Sequence, residues 1–204
     1  MRKSTFRRPR DITATCHRRS NRMYSSVKQI LAEIDRVLSA VDSNEVDALL
    51  KAIVNAHTVI VYGLGREGLV MKSFAMRLAH LGVSTAVVGD MTAPPARPGD
   101  LFLVSCGPGY LSTVDALVGV AQRAGARVAM ITAMPAAELP RRADQLLFLP
   151  AQTMAHGEGS SSSQPMGSVL EQAMWVLFDA MVPMLQVRLG QSVDEMRARH
   201  TNME

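Results

Sequence analysis

From Val27 onward, apolar residues recur at Val27, Ile30, Leu31, Ile34, Val37, Leu38 and Val41, the i, i+3, i+4, i+7 stripe of an amphipathic helix. Asp42 followed three residues later by Glu45 has the form of a capping box, and it opens a second helix striped by Val46, Leu49, Leu50, Ile53 and Val54. After these two helices the period changes. Residues 58–62, 84–88, 101–105, 127–131 and 145–149 are short, nearly continuous apolar runs, which predicts strands buried on both faces. Helical segments separate them, and Gly82 and Gly125 stand where a left-handed helix C-cap is needed just before the next strand. Strand, helix and strand repeated in this way predict a parallel sheet covered by helices on both faces. The expected fold is therefore α/β: a three-layer sandwich with a five-stranded parallel sheet and two N-terminal helices.

Residues 150–165 hold Ser160 to Ser163 and two glycines, and read as a mobile loop rather than a domain linker. A long helix follows, with Val169, Leu170, Met174, Leu177, Phe178, Met181 and Leu185 on one side and an expected bend near Pro183. A short helix from about Ser192 carries Met196 and runs into Arg199, His200 and Thr201. No continuous apolar run approaches the ~20 residues of a membrane span, so no membrane partner is expected.

Charge divides the chain. Residues 1–22 hold eight basic side chains against the single acid Asp11, whereas positions 23–204 carry a net charge of −3. The expected organisation is a basic leader over residues 1–23 and one domain over 24–204. A mildly acidic body gives no electrostatic reason to expect nucleic acid as a partner. The leader lacks the apolar core of a secretory signal, and its Arg-rich, acid-poor composition fits a solvated tail, an upstream start codon or an organellar transit peptide. Cys16 and Cys106 form no metal or disulfide spacing, so the expected compartment is the cytoplasm, with an organelle as the alternative if the leader is a transit peptide.

Ligands of open parallel sheets bind at the carboxyl ends of the strands, near the point where strand order reverses. Two glycine-rich loops occupy such ends and lead into helices whose free amides favour an anion. The first contains Gly63, Gly65, Arg66, Glu67 and Gly68; the second runs from Cys106 through Gly107, Pro108, Gly109, Tyr110 and Leu111 to Ser112 and Thr113. The first has the GxGxxG spacing of a dinucleotide site, with Asp90 near the position of a ribose-binding acid. Two leading helices and a second glycine-rich loop fit that reading poorly.

The segments VYGLGREGLVMKSFAMRLAHLG, VVGDMTAPP, LFLVSCGPGYLSTVDAL and PMGSVLEQAMWVLFDA and the ending RARHTNME resemble the sugar isomerase (SIS) family, and more narrowly the 6-phospho-3-hexuloisomerases, over residues 24–204. The resemblance implies a sugar-phosphate isomerase acting through an enediol, with a small-molecule sugar phosphate as partner, no cofactor and no metal, and a homo-oligomer, tetramer or dimer. It implies Glu171 as the base that moves a proton on carbon, and His200 as a histidine whose tail reaches the active site of a neighbouring subunit. Substrate or phosphate contacts are implied for Gly63, Gly65, Arg66, Thr92, Gly107, Gly109, Ser112 and Thr113. Three of these residues also have a plain structural reading: Glu171 as a first-turn acid favouring the helix dipole, His200 as a solvated terminal residue, Arg66 as a solvated or subunit-bridging arginine. For His80 a cap or core role is expected, and Lys72 reads equally as an outward helix residue.

The second loop departs from the family. Where hexuloisomerases carry Ser-Gly-Ser-Gly-Glu-Thr-Ser, this chain has Cys106, Gly107, Pro108, Gly109, Tyr110, Leu111 and Ser112. Pro108 removes a hydroxyl and a backbone donor, Leu111 removes a second hydroxyl, and in the first loop Glu67 replaces a serine and is expected to repel a phosphate placed against it. A non-catalytic sugar-binding or regulatory domain is thus the alternative to an isomerase.

Overall fold

The computed structural model describes residues 12–154 and 162–203. Helix α1 (Ile12–Ser39) and helix α2 (Ser43–Val54) precede β1 (Val59–Tyr62); then come α3 (Gly65–His80), β2 (Thr85–Val87), β3 (Leu101–Ser105), α4 (Ser112–Arg123), β4 (Arg127–Thr132), β5 (Gln145–Phe148), α5 (Ser168–Leu189) and α6 (Val193–Ala198). All neighbouring strands are parallel, in the order β2-β1-β3-β4-β5. The chain steps outward from β1 to β2 and returns to the other side of β1 for β3. The order therefore reverses between β1 and β3, the crevice where the loops after those two strands face each other.

Period-2 alternation assigns the two faces of the sheet. Val59, Val61, Leu101, Leu103, Ala129 and Ile131 join a core with α1, α2, α3 and α5. Ile60, Phe102, Val104, Val128 and Met130 face the other way, onto α4 through Val114, Val118 and Ala121. Phe74 of α3 stacks on Phe178 of α5, ring centroids 4.1 Å apart and 9° from parallel, which fixes the two helices that deliver the site residues.

The expected three-layer architecture and its five strands are present, to within one residue at most strand ends. Burial on both faces holds for β3 and the inner part of β4, but not for the sheet edges: β2 is half-buried throughout and β5 is buried only at Leu147. An edge strand lacks a neighbour on one side, so its apolar run is covered less completely. Gly82 and Gly125 adopt φ of +82° and +79°, as their C-cap positions require. The second helix is capped by the Asp42 side chain on the Asn44 amide, whereas the full reciprocal capping box forms at Ser192 and Glu195. Helix α5 continues through Pro183 as one helix. The absence of any bilayer-length apolar segment needs correcting: residues 165–189 pass that test by length and composition. In the fold, however, Val169, Leu170, Ala173, Met174, Phe178, Met181 and Leu185 of this helix are buried in the core.

Helix α1 extends back to Ile12, into the basic segment assigned to a leader, while residues 1–11 of that segment lie outside the described residues. Residues 155–161 of the loop expected to be mobile also lie outside them. Its far end is held from α1. The buried Glu33 carboxylate accepts from the Ser163 amide (2.9 Å), the Ser162 and Ser163 hydroxyls (2.7 Å each) and the Gln164 side chain (3.2 Å). Burial alone would raise its pKa, but these four donors outweigh it and hold the carboxyl at about 2.

Candidate functional site

Loop 1, between β1 and α3, is built by close approach of its glycines. A Cβ on Gly68 would lie 2.4 Å from the Gly63 carbonyl oxygen, and Gly65 opens α3 at φ +56°. The tight turn aims Arg66 and Glu67 in different directions. Arg66 is exposed and its Nε sits 2.7 Å from Glu171 Oε2, in the first turn of α5. Glu67 folds inward beneath loop 2, where one carboxyl oxygen accepts the Gly107 amide at 3.0 Å and also the Ser105 hydroxyl.

Loop 2, between β3 and α4, packs against both of these acids' surroundings. A Cβ on Gly107 would stand 2.3 Å from a Leu170 methyl and 2.8 Å from Glu67 Oε1, so only glycine fits between α5 and loop 1 here. Gly109, at φ +81°, would drive a Cβ to 2.7 Å from Met134 Cβ. The loop ends at Leu111, which leads α4 without any side-chain cap, and Ser112 and Thr113 of the first turn are exposed.

Electrostatics single out the acids. The Glu171 side chain is 14% exposed, and its Oε2 is buried and accepts no well-aligned hydrogen bond, so the Arg66 contact is one of charges only. Burial raises its pKa above the ordinary carboxylate range; Arg66 opposes the shift and the negative charge of Glu67 adds to it. Burial also raises Glu67, against the hydrogen bonds from Ser105 and Gly107. Cys106 is pushed up to about 12 by burial and by Glu67, so it has no thiolate character for use as a nucleophile.

Gly63, Gly65, Arg66, Gly107 and Glu171 thus meet around the β1/β3 crevice, while Gly109 packs on Met134 and Ser112 and Thr113 stand exposed where loop 2 enters α4. Thr92 lies exposed in the turn beyond β2 and takes no part in the hydrogen bonds that join the two loops. Lys72 is exposed at a cleft of about 150 Å³ beside loop 1, lined also by Val61, Gly68 and Val87. His200 is not brought to Glu171 within one chain. Its ring lies 5.1 Å from that of His80 at the C-terminal end of α3, and the Arg199 guanidinium donates to the His80 carbonyl at 3.0 Å. Arg66 lies in the first turn and His80 at the last residue of this 16-residue helix, about 21 Å apart along its axis. Among the described residues, no group of three or more His, Cys, Asp or Glu side chains is placed to hold a metal ion.

Sequence reasoning missed Glu67 as a structural member of loop 2. Beyond the expected repulsion of a phosphate placed against it, the carboxyl accepts from the Gly107 amide and the Ser105 hydroxyl. The signal available was that a loop losing donors at Pro108 and Leu111 also gained an acceptor at Glu67.

With this geometry, the comparisons with known proteins are specific. The SIS domain profile matches residues 52–175. A 3-hexulose-6-phosphate isomerase of Bacillus subtilis is 32% identical over 179 residues, covering 87% of this chain and 97% of that protein. One of Mycobacterium gastri is 36% identical over 172 residues, covering 84% and 86%. A crystal structure of a Methanococcus jannaschii protein, whose fold was taken to infer 3-hexulose-6-phosphate isomerase function, superposes with a TM-score of 0.76 at 25% identity, over 88% of this chain and 99% of that one. Domain match, full-length relatives and crevice agree: the chain belongs to the SIS domain family.

Proposed function

We propose that this protein is a sugar-phosphate isomerase that interconverts 3-hexulose 6-phosphate and fructose 6-phosphate through a 2,3-enediol. The observation that carries the reading is Glu171, a shielded carboxyl with a raised pKa and an unbonded buried oxygen, set beside a cationic partner at the mouth of the crevice. Moving a carbonyl from C3 to C2 requires a proton to leave C2 and another to arrive at C3, and one carboxylate lying along one face of the enediol serves both steps. Arg66, free of any fixed hydrogen bond to Glu171, is the cation that faces the developing enediolate oxygen. The start of α4, with Ser112 and Thr113, holds the phosphate.

The assembly proposed is a homo-oligomer, tetramer or dimer. Leu69 and Met76 on α3 and Trp175, Val176 and Val187 on α5 are exposed apolar side chains that support this reading, since a second copy would cover them. In such an assembly, His200, distant from the site of its own chain, serves a neighbouring one.

The loss of donors at Pro108 and Leu111 favours a second reading, a domain that binds sugars without turning them over. Assay of fructose 6-phosphate formation from enzymatically generated 3-hexulose 6-phosphate separates the two. Turnover is expected; folded protein that binds fructose 6-phosphate without turnover would establish the second reading instead.

A further inference from the structure

The Cys106–Gly109 turn of loop 2 spends its own donors before any ligand arrives. The Cys106 amide bonds the Ile131 carbonyl at 2.9 Å, the Gly107 amide bonds Glu67 at 3.0 Å, Pro108 has no N–H, and the Gly109 amide closes the turn on the Cys106 carbonyl at 3.0 Å. The Ser105 hydroxyl is also given to Glu67. One carboxyl oxygen of Glu67 therefore takes both the Gly107 amide and the Ser105 hydroxyl, the donors at the Cys106–Gly109 turn that no backbone group claims. The arrangement is bounded on three sides: α3 carries Glu67, β3 carries Ser105, and Leu170 of α5 leaves no room for a side chain at Gly107.

We propose that Glu67 is a specificity-determining residue that stands as an internal anion in loop 2, so the crevice offers a substrate anion one seat only, at the start of α4. The inference rests on the phosphosugar reading above and narrows it. The ligand class is a sugar carrying a single phosphate, with neutral hydroxyls against loop 2. A sugar bearing a second phosphate or a carboxylate against the Cys106–Gly109 turn meets a carboxyl, with the Gly107 and Ser105 donors already taken.

The test is calorimetric titration of the full chain with inorganic phosphate and, separately, with fructose 6-phosphate, comparing wild type, Glu67→Gln and Glu67→Ser. Glu67→Ser empties the space and frees both donors, so inorganic phosphate is expected to bind at least about tenfold more tightly than to wild type. Glu67→Gln removes the charge but still accepts from Gly107 and Ser105, so it is expected to gain much less than Glu67→Ser. Equal affinity for inorganic phosphate in wild type and Glu67→Ser would overturn the proposal. Equal gains in the two variants would overturn it too, since charge alone would then suffice. Thermal melts accompany each titration, and Glu67→Ala carries the same comparison if the serine variant does not fold. Binding of fructose 6-phosphate to wild type separates the two levels: its absence counts against the phosphosugar reading, while the phosphate comparison still decides the role of Glu67.

Discussion

Glu171 and Arg66 are coupled through an unaligned 2.7 Å contact, and the coupling has a sign. Burial holds the Glu171 pKa above its ordinary value and Arg66 pulls it down. A base must be ionised, so kcat/KM is expected to fall as pH drops through that raised value. Arg66→Ala removes the opposing charge and is expected to move the acid limb of the profile to higher pH while lowering the plateau. A limb that stays in place would remove Arg66 from contact with the base. Of the residues in the crevice, Arg66 and the glycines could be placed from the sequence because they stand between a strand and a helix, whereas Glu171 was reached only through the family resemblance. The inward fold of Glu67 was not legible in the sequence, because it depends on the Leu170 and Gly107 contact between segments more than 60 residues apart in the chain.

At the scale of elements, α1 and α5 are joined through residues 162–164, and Glu33 is the tie. Its pKa of about 2 lies below the ~4.3 of an unfolded glutamate, so the stabilisation is present above that unfolded value and is lost as pH falls toward 2. Glu33→Gln is expected to be less stable than wild type near pH 7, by roughly 2 kcal/mol, with the difference shrinking in acid. Urea unfolding at a series of pH values checks this, and a difference independent of pH would contradict it. The other joint is the Phe74–Phe178 stack, where Phe178→Ala should cost ~3–5 kcal/mol and lower Tm on the order of 10 °C. Strands and helices were legible because hydrophobic period is local. The half-burial of β2 and β5 was not, because position in a sheet is set by strand order, which period does not encode. Nor could spacing show Glu33, a lone acid on a helical stripe, to be a clamp on a loop some 130 residues away.

For the whole molecule, the proposed assembly gives one role to the exposed apolar side chains of α3 and α5 and another to the tail whose Arg199 and His200 contact His80 at the far end of α3. Light scattering is expected to give a mass that is a multiple of the chain, and Trp175→Glu to reduce it. A monomer at micromolar concentration would leave His200 without a site to serve.

The central claim is that Glu171 moves a proton on carbon in a phosphosugar. Fructose 6-phosphate incubated with the protein in D₂O and followed by proton NMR tests it most directly, because formation of a 2,3-enediol exchanges the hydrogen on C3. The account predicts deuterium at C3 with wild type and none with Glu171→Gln. No exchange by folded wild-type protein, or undiminished exchange in the Glu171→Gln variant, would contradict it.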